Sequence, residues 1–128
     1  MLVNFKYMLQ KKNPRQQKIA AEIKKILADF LIRCNIFDEN SVVNPSLISI
    51  TDVEVSSCLK HAKLFVVSLS HNFSGEDCLL FLQKHSPKLR YHLGSNVHLK
   101  SVPELQFYLD NSFEQAKKIE TLLKKIIP

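Results

Sequence analysis

The sequence predicts a single α+β domain, and three observations carry that prediction. Apolar residues between 14 and 31 recur at the three-and-four spacing of a helix. Two runs rich in β-branched and aromatic residues, Leu47 to Val55 and Ala62 to Leu69, are separated only by SSCLKH. Near the C-terminal end, VPELQFYLDNS alternates with period two. A chain of 128 residues, 45% of them apolar, is long enough for one core and too short for two ordinary domains.

Asn13-Pro14 opens the first helix, with asparagine as cap and proline at the first helical position, where its missing N–H costs nothing. Ile19, Ile23, Ile26, Leu27, Phe30 and Leu31 form its apolar stripe, and Lys18, Lys24 and Lys25 lie off it. Residues 34 to 46 are rich in turn-formers and read as a connection. The two β runs follow as a hairpin with a longer loop. The second run is apolar on both faces and is expected to be the most buried strand. Ser74, three residues before Asp77, has the spacing of a capping box and opens a helix that carries Cys78, Leu79 and Leu82 inward. That helix should stop near His85. Ser86-Pro87 reads as a second cap and first-position pair, starting a short helix through Leu89 and Leu93 to Gly94, a natural C-terminal stop.

Pro103 cannot donate to a ladder, so it suits the lead-in to a strand that turns Leu105, Phe107 and Leu109 to one face. Ser112 with Gln115 forms a further capping box. The final helix would place Phe113, Ala116, Ile119, Leu122, Leu123 and Ile126 inward. The domain organisation read from this order is an N-terminal arm (1–12), a domain (13–112), and a C-terminal helix packed on it (113–128).

The net charge is +6, and its distribution says more than its size. Before Asp29 there are seven basic residues against one acid, Glu22; between Asp77 and Glu104 there is no acid, while Lys84, Lys88, Arg90 and Lys100 fall there. Two such segments sharing a face would attract a polyanion; the plainer reading is a pair of solvated faces. With only Gly75 and Gly94, no Walker or dinucleotide-binding loop can be assembled. Cys58 and His61 have C-x-x-H spacing without a second pair, so neither zinc nor any other cofactor is expected. Asp52 and Glu54 share a strand face, but a solvated face explains them better than a hydrolytic pair. Three cysteines, Cys34, Cys58 and Cys78, form no disulfide framework and are expected to be free thiols. The sequence shows neither a signal-peptide pattern nor a long apolar run, so a soluble cytoplasmic protein is expected, with no membrane partner.

NPRQQKIAAEIKKIL (13–27), VEVSSCLKHAKLFV (53–66) and SPKLRYHLGSNVHLKSVPELQFYLDNS (86–112) together resemble ribosome-binding factor A, a family of bacterial assembly factors of the small ribosomal subunit. The most specific piece is V-P-E-L-x-F-x-x-D-x-S, carried by Val102, Pro103, Glu104, Leu105, Phe107, Asp110 and Ser112. The resemblance implies a type II KH-like fold: a three-stranded mixed sheet with helices on one face and an interhelical kink in place of the GxxG loop. The family commonly spells that kink Ala-x-Gly, whereas this chain has His85, Ser86 and Pro87 there. Cys58 replaces the family's hairpin acid. Lys18 and Lys100 stand where the family usually has arginine, and Arg90 matches outright; lysine keeps the charge but loses the bidentate fork.

The function implied is binding without catalysis: docking on the small (30S) subunit and its 16S rRNA, with assistance to rRNA processing and subunit maturation. The expected RNA-binding residues are Arg15, Lys18, Lys25, Lys84, Lys88, Arg90 and Lys100, acting through phosphate contacts and shape. Lys117 and Lys118, on the last helix, should lie outside this face. A monomer without a small-molecule substrate is expected. The alternative is a KH-like protein-interaction module that presents its basic face to an acidic protein.

Overall fold

The computed structural model describes residues 13–33, 36, 38–112 and 119–124. Helix α1, Pro14–Ile32, starts where proline predicts, and the cap is reciprocal. The Gln16 N–H donates to the Asn13 side chain at 2.8 Å, and the Gln16 side chain accepts from the Asn13 N–H at 3.2 Å. Gln16 then reaches out of the helix: its buried amide donates to the Val55 carbonyl at 3.0 Å. Eight residues further on, Lys24 Nζ donates to the Thr51 carbonyl at 3.1 Å. These two bonds lay α1 antiparallel along the first strand, and Ile19, Ile23, Leu27, Phe30 and Leu31 are the apolar residues it buries.

A short 3-10 turn, Pro45–Leu47, leads into β1, Ile48–Val55, which pairs antiparallel with β2, His61–Ser68; β2 pairs parallel with β3, Glu104–Leu109. The order β1-β2-β3 is the expected mixed sheet, and β2 is central. Thr51 is an extra residue in β1, and the bulge explains why both Thr51 and Asp52 avoid the buried face while Ile50 and Val53 keep to it. β2 is not covered on both faces. Ala62, Leu64 and Val66 are buried, but His61 and Lys63 are exposed and Phe65 and Val67 only half-buried, because the helices lie on one side of the sheet.

Helix α2, Gly75–Lys84, opens on the Ser74–Asp77 capping box and buries Cys78, Phe81 and Leu82; Leu79 is half-buried. Gly75 lets the helix start close to the end of β3, since a Cβ there would meet the Leu109 side chain at 2.6 Å. Helix α3, Ser86–Asn96, follows after a break at His85 alone. The expected serine cap is not made. Ser86 is already helical, and His85, at φ −98° and ψ 11°, takes the boundary position with its side chain engaged elsewhere. Nor does α3 stop at Gly94, which has no positive φ; the helix runs to Asn96. Glycine serves close approach instead, because a Cβ at 94 would meet Val102 Cγ2 at 2.8 Å.

Pro103, fully buried, precedes β3, whose Phe107 is buried and whose Leu105 and Leu109 are half-buried on the same face. Residues 119–124 are helical, but Ile119, Leu122 and Leu123, expected to face inward, are 44%, 58% and 50% exposed. The Asp110 carboxylate accepts from both the amide and the hydroxyl of Ser112. Gln115, Phe113, Ala116, Ile126, Lys117, Lys118 and the arm 1–12 lie outside the described residues.

Candidate nucleic-acid interface

The basic residues of α1 occupy its outward side in a specific pattern. Lys18, Glu22, Lys25, Asp29 and Arg33 recur at three- and four-residue spacing, so one stripe alternates in sign. Asp29 pairs with Arg33 at 3.2 Å. Lys24, counted by its sequence position among the solvated lysines, is used to hold α1 to the β1 bulge. Arg15, Lys18 and Lys25 remain exposed.

Helix α3 meets α1 through a stack of Phe30 on His92, with ring centroids 4.1 Å apart. The contact lies near the C-terminal end of α1, where Asp29 and Arg33 pair; of the three expected α1 contacts Lys25 is the nearest to it along the helix, while about 18 Å of helical rise separates Lys18 from Phe30. Arg15 and Lys18 sit instead at the end marked by Gln16 and Val55. The seven expected contacts therefore do not form one tight cluster. Arg15, Lys18 and Lys25 lie along α1, and Lys84, Lys88, Arg90 and Lys100 lie on α3 and at its two ends.

At the kink, the chain supplies an anchor that no local pattern announces. Asp38, from the connection between α1 and β1, has a side chain only 8% exposed. Its Oδ2 accepts from Lys84 Nζ at 2.7 Å and lies 3.1 Å from His85 Nε2, and its Oδ1 accepts from the Asn40 N–H at 3.0 Å. The Lys84 ammonium, the Asn40 amide and then His85 hold the Asp38 carboxyl down to about 2. His85 is buried with its ring 4.6 Å from that of Phe81. Lys84, expected to meet phosphate, is already in an ion pair.

Arg90 is also partly committed. Its Nε donates to the Pro103 carbonyl at 3.2 Å and a terminal nitrogen to the Val102 carbonyl at 3.1 Å, which staples α3 to the lead-in of β3. The remaining guanidinium donors face outward on an exposed residue. Lys88 and Lys100 are exposed, and residues 78 to 103 contain no acid, so the surface of α3 and the following connection carries positive charge without internal neutralisation.

The opposite side of the sheet is chemically different. Phe65 stacks on Tyr108 at 5.7 Å, and Lys63 lies 5.8 Å from the Tyr108 ring centroid. Asp52, Glu54 and Glu104 share this open face. Cys58 and Cys78 are free thiols, and Cys34 lies outside the described residues. Burial pushes Cys78 up to about 11, whereas the Ser56 hydroxyl and the Lys60 amide lower Cys58. Among the described residues no cluster fit for a metal ion occurs, and no helix is long and apolar enough to cross a membrane.

Comparison with known proteins points the same way as the motif at 102–112. A family model described as ribosome-binding factor A matches residues 15–123. Ribosome-binding factor A of Natranaerobius thermophilus is 37% identical over 114 residues, covering 88% of this chain and 82% of its own. That of Xylella fastidiosa strain M23 is 34% identical over 121 residues, covering 94% and 92%. Among solved structures, ribosome-binding factor A from Thermus thermophilus superposes with a TM-score of 0.62 at 18% identity, covering 76% of this chain and 97% of that one. A Thermus thermophilus ribosome binding factor A homology model, fitted into the cryo-EM map of a 30S–RbfA complex, gives 0.55 at 17% identity, covering 72% and 91%. The structural likeness shows the fold, and the sequence relatives show the family: this chain belongs to the ribosome-binding factor A family.

Proposed function

We propose that this chain is a non-enzymatic assembly factor that binds the small (30S) ribosomal subunit through its 16S rRNA and assists rRNA processing and subunit maturation. The observation that carries the reading is the stretch 78 to 103 without an acid, in which Lys88, Arg90 and Lys100 are exposed on α3 and on the connection that follows it. A relative of the same fold sits in a 30S complex, which supports the choice of partner. Binding rests on phosphate contacts, which position the protein without reading bases. Lys25, Lys88 and Lys100 supply free ammonium groups, and Arg90 offers the donors that its backbone staple leaves over. Arg15 and Lys18 make a second contact region at the N-terminal end of α1. Lys84 contributes chiefly by fixing the kink through Asp38, and adds only a residual field. The protein acts as a cytoplasmic monomer and needs no cofactor.

The test is co-sedimentation of the purified protein with small subunits before and after nuclease digestion. Co-sedimentation should vanish when the RNA is digested. Retention on the residual ribosomal proteins would contradict RNA binding and favour recognition of an acidic protein.

A further inference from the structure

Tyr91 is 81% exposed, more than any other large hydrophobic side chain among the described residues. On α3 it lies roughly opposite Leu89 and Leu93, the residues that anchor the helix in the core. A single exposed tyrosine needs no explanation by itself. Its surroundings supply one. Lys88 stands one turn before it on the flank nearer α1, and Arg90 is on the other flank, fixed by its bonds to the Val102 and Pro103 carbonyls. One turn after it come Gly94 and Ser95, too small to cover the ring, and the Ser95 hydroxyl is turned back to the Tyr91 carbonyl at 3.1 Å. No ring partner for Tyr91 occurs among the described residues. Tyr108 is the contrasting case: its ring is stacked on Phe65, on a face where Asp52, Glu54 and Glu104 outnumber the one lysine, Lys63, that lies over it.

Resting on the RNA-binding reading above, we propose that Tyr91 is a base-stacking platform: an unpaired nucleobase of the bound RNA lies on its ring while Lys88 and Arg90 hold the flanking phosphates. Aromatic stacking beside cations is how proteins take up single-stranded nucleotides without reading their sequence. The interface then favours unpaired over duplex RNA, which phosphate contacts alone do not achieve.

The chain contains no tryptophan, so Tyr91→Trp places a lone reporter at the site. Its fluorescence should be quenched by single-stranded oligoadenylate but not by inorganic polyphosphate, a polyanion without bases. Tyr91→Ala should weaken oligoadenylate binding by about five- to a hundredfold, the range of one base–aromatic stack, and leave the salt slope unchanged. Tyr91→Phe should retain the affinity. Lys88→Ala should reduce the salt slope. If Lys88→Ala reduces the slope but Tyr91→Trp is not quenched and Tyr91→Ala binds normally, the stacking proposal is overturned and RNA binding stands. Equal quenching by polyphosphate also overturns it. If the base-dependent quench persists while Lys88→Ala leaves the slope unchanged, the phosphate role of Lys88 is overturned instead.

Discussion

Asp38 shows how much one side chain can organise from a distance. In the sequence it is one of several turn-formers between α1 and β1, and nothing local distinguishes it from Glu39 or Asn40. Folded, it joins residues 46 and 47 positions away, Lys84 and His85, at the kink. Because the fold lowers its pKa from 3.8 to about 2, its contribution to stability is fully present above the ordinary carboxylate range. It is lost as pH falls through about 2. Thermal unfolding followed across that acid window should therefore show a decline that Asp38→Asn removes, the variant being less stable at neutral pH. Equal acid sensitivity in both proteins would sink the anchor role. Arg90 carries a second lesson at this scale. An exposed cation matching a family position invites a purely electrostatic reading, in which Arg90→Ala leaves stability alone. Two bonds to backbone carbonyls change that expectation: Arg90→Ala should cost about 1 kcal/mol, a few degrees in the melting temperature, beside its effect on binding. Arg90→Lys should recover only part of it, since a single ammonium cannot reproduce the fork. An unchanged melting temperature in Arg90→Ala would show that the staple contributes nothing.

At the scale of elements, the sequence was legible wherever a local rule decided the outcome. Asn13-Pro14, Ser74 with Asp77, and Pro103 with its alternating residues mark three element starts, and the structure places α1, α2 and β3 accordingly. The same rules misled where a longer-range contact competed. Ser86-Pro87 has the look of a cap, yet His85 takes the boundary because its imidazole is held by Asp38 and packed on Phe81. Gly94 looks like a stop, yet it lies inside α3 where Val102 approaches. The contrast between the two serines is measurable. Ser74→Ala removes a side-chain acceptor for the Asp77 N–H and should cost about 1 kcal/mol, whereas Ser86→Ala removes no cap and should stay within ~0.5 kcal/mol. Denaturant melts of the two variants check this, and a larger loss in Ser86→Ala would reverse the assignment of the boundary. The covering of β2 was not readable from its apolar run, since periodicity reports which residues are apolar but not whether a second layer exists to meet them.

For the whole molecule, the order of elements and the mixed sheet followed from patterns spread along the chain, but the distribution of charge did not. Sequence counting found two basic segments; the fold divides them along α1, spends Lys24 and Lys84 on internal contacts, and interleaves Glu22 and Asp29 among the α1 cations. What remains is an acid-free region around α3 on one side and an open sheet carrying acids on the other. If RNA is held by that region, affinity should depend on face and not on net charge. The most direct measurement is the salt dependence of small-subunit RNA binding for the wild type, the double variant Lys88→Ala/Lys100→Ala, and Lys63→Ala on the open sheet. Wild-type affinity should fall on the order of tenfold or more between low and physiological salt, and the double variant should lose about two contacts from the slope at roughly 0.7 to 0.9 each. Lys63→Ala should match the wild type. Equal losses from the double variant and from Lys63→Ala, scaled to the charge removed, would contradict the account, because binding would then follow bulk charge and no particular face.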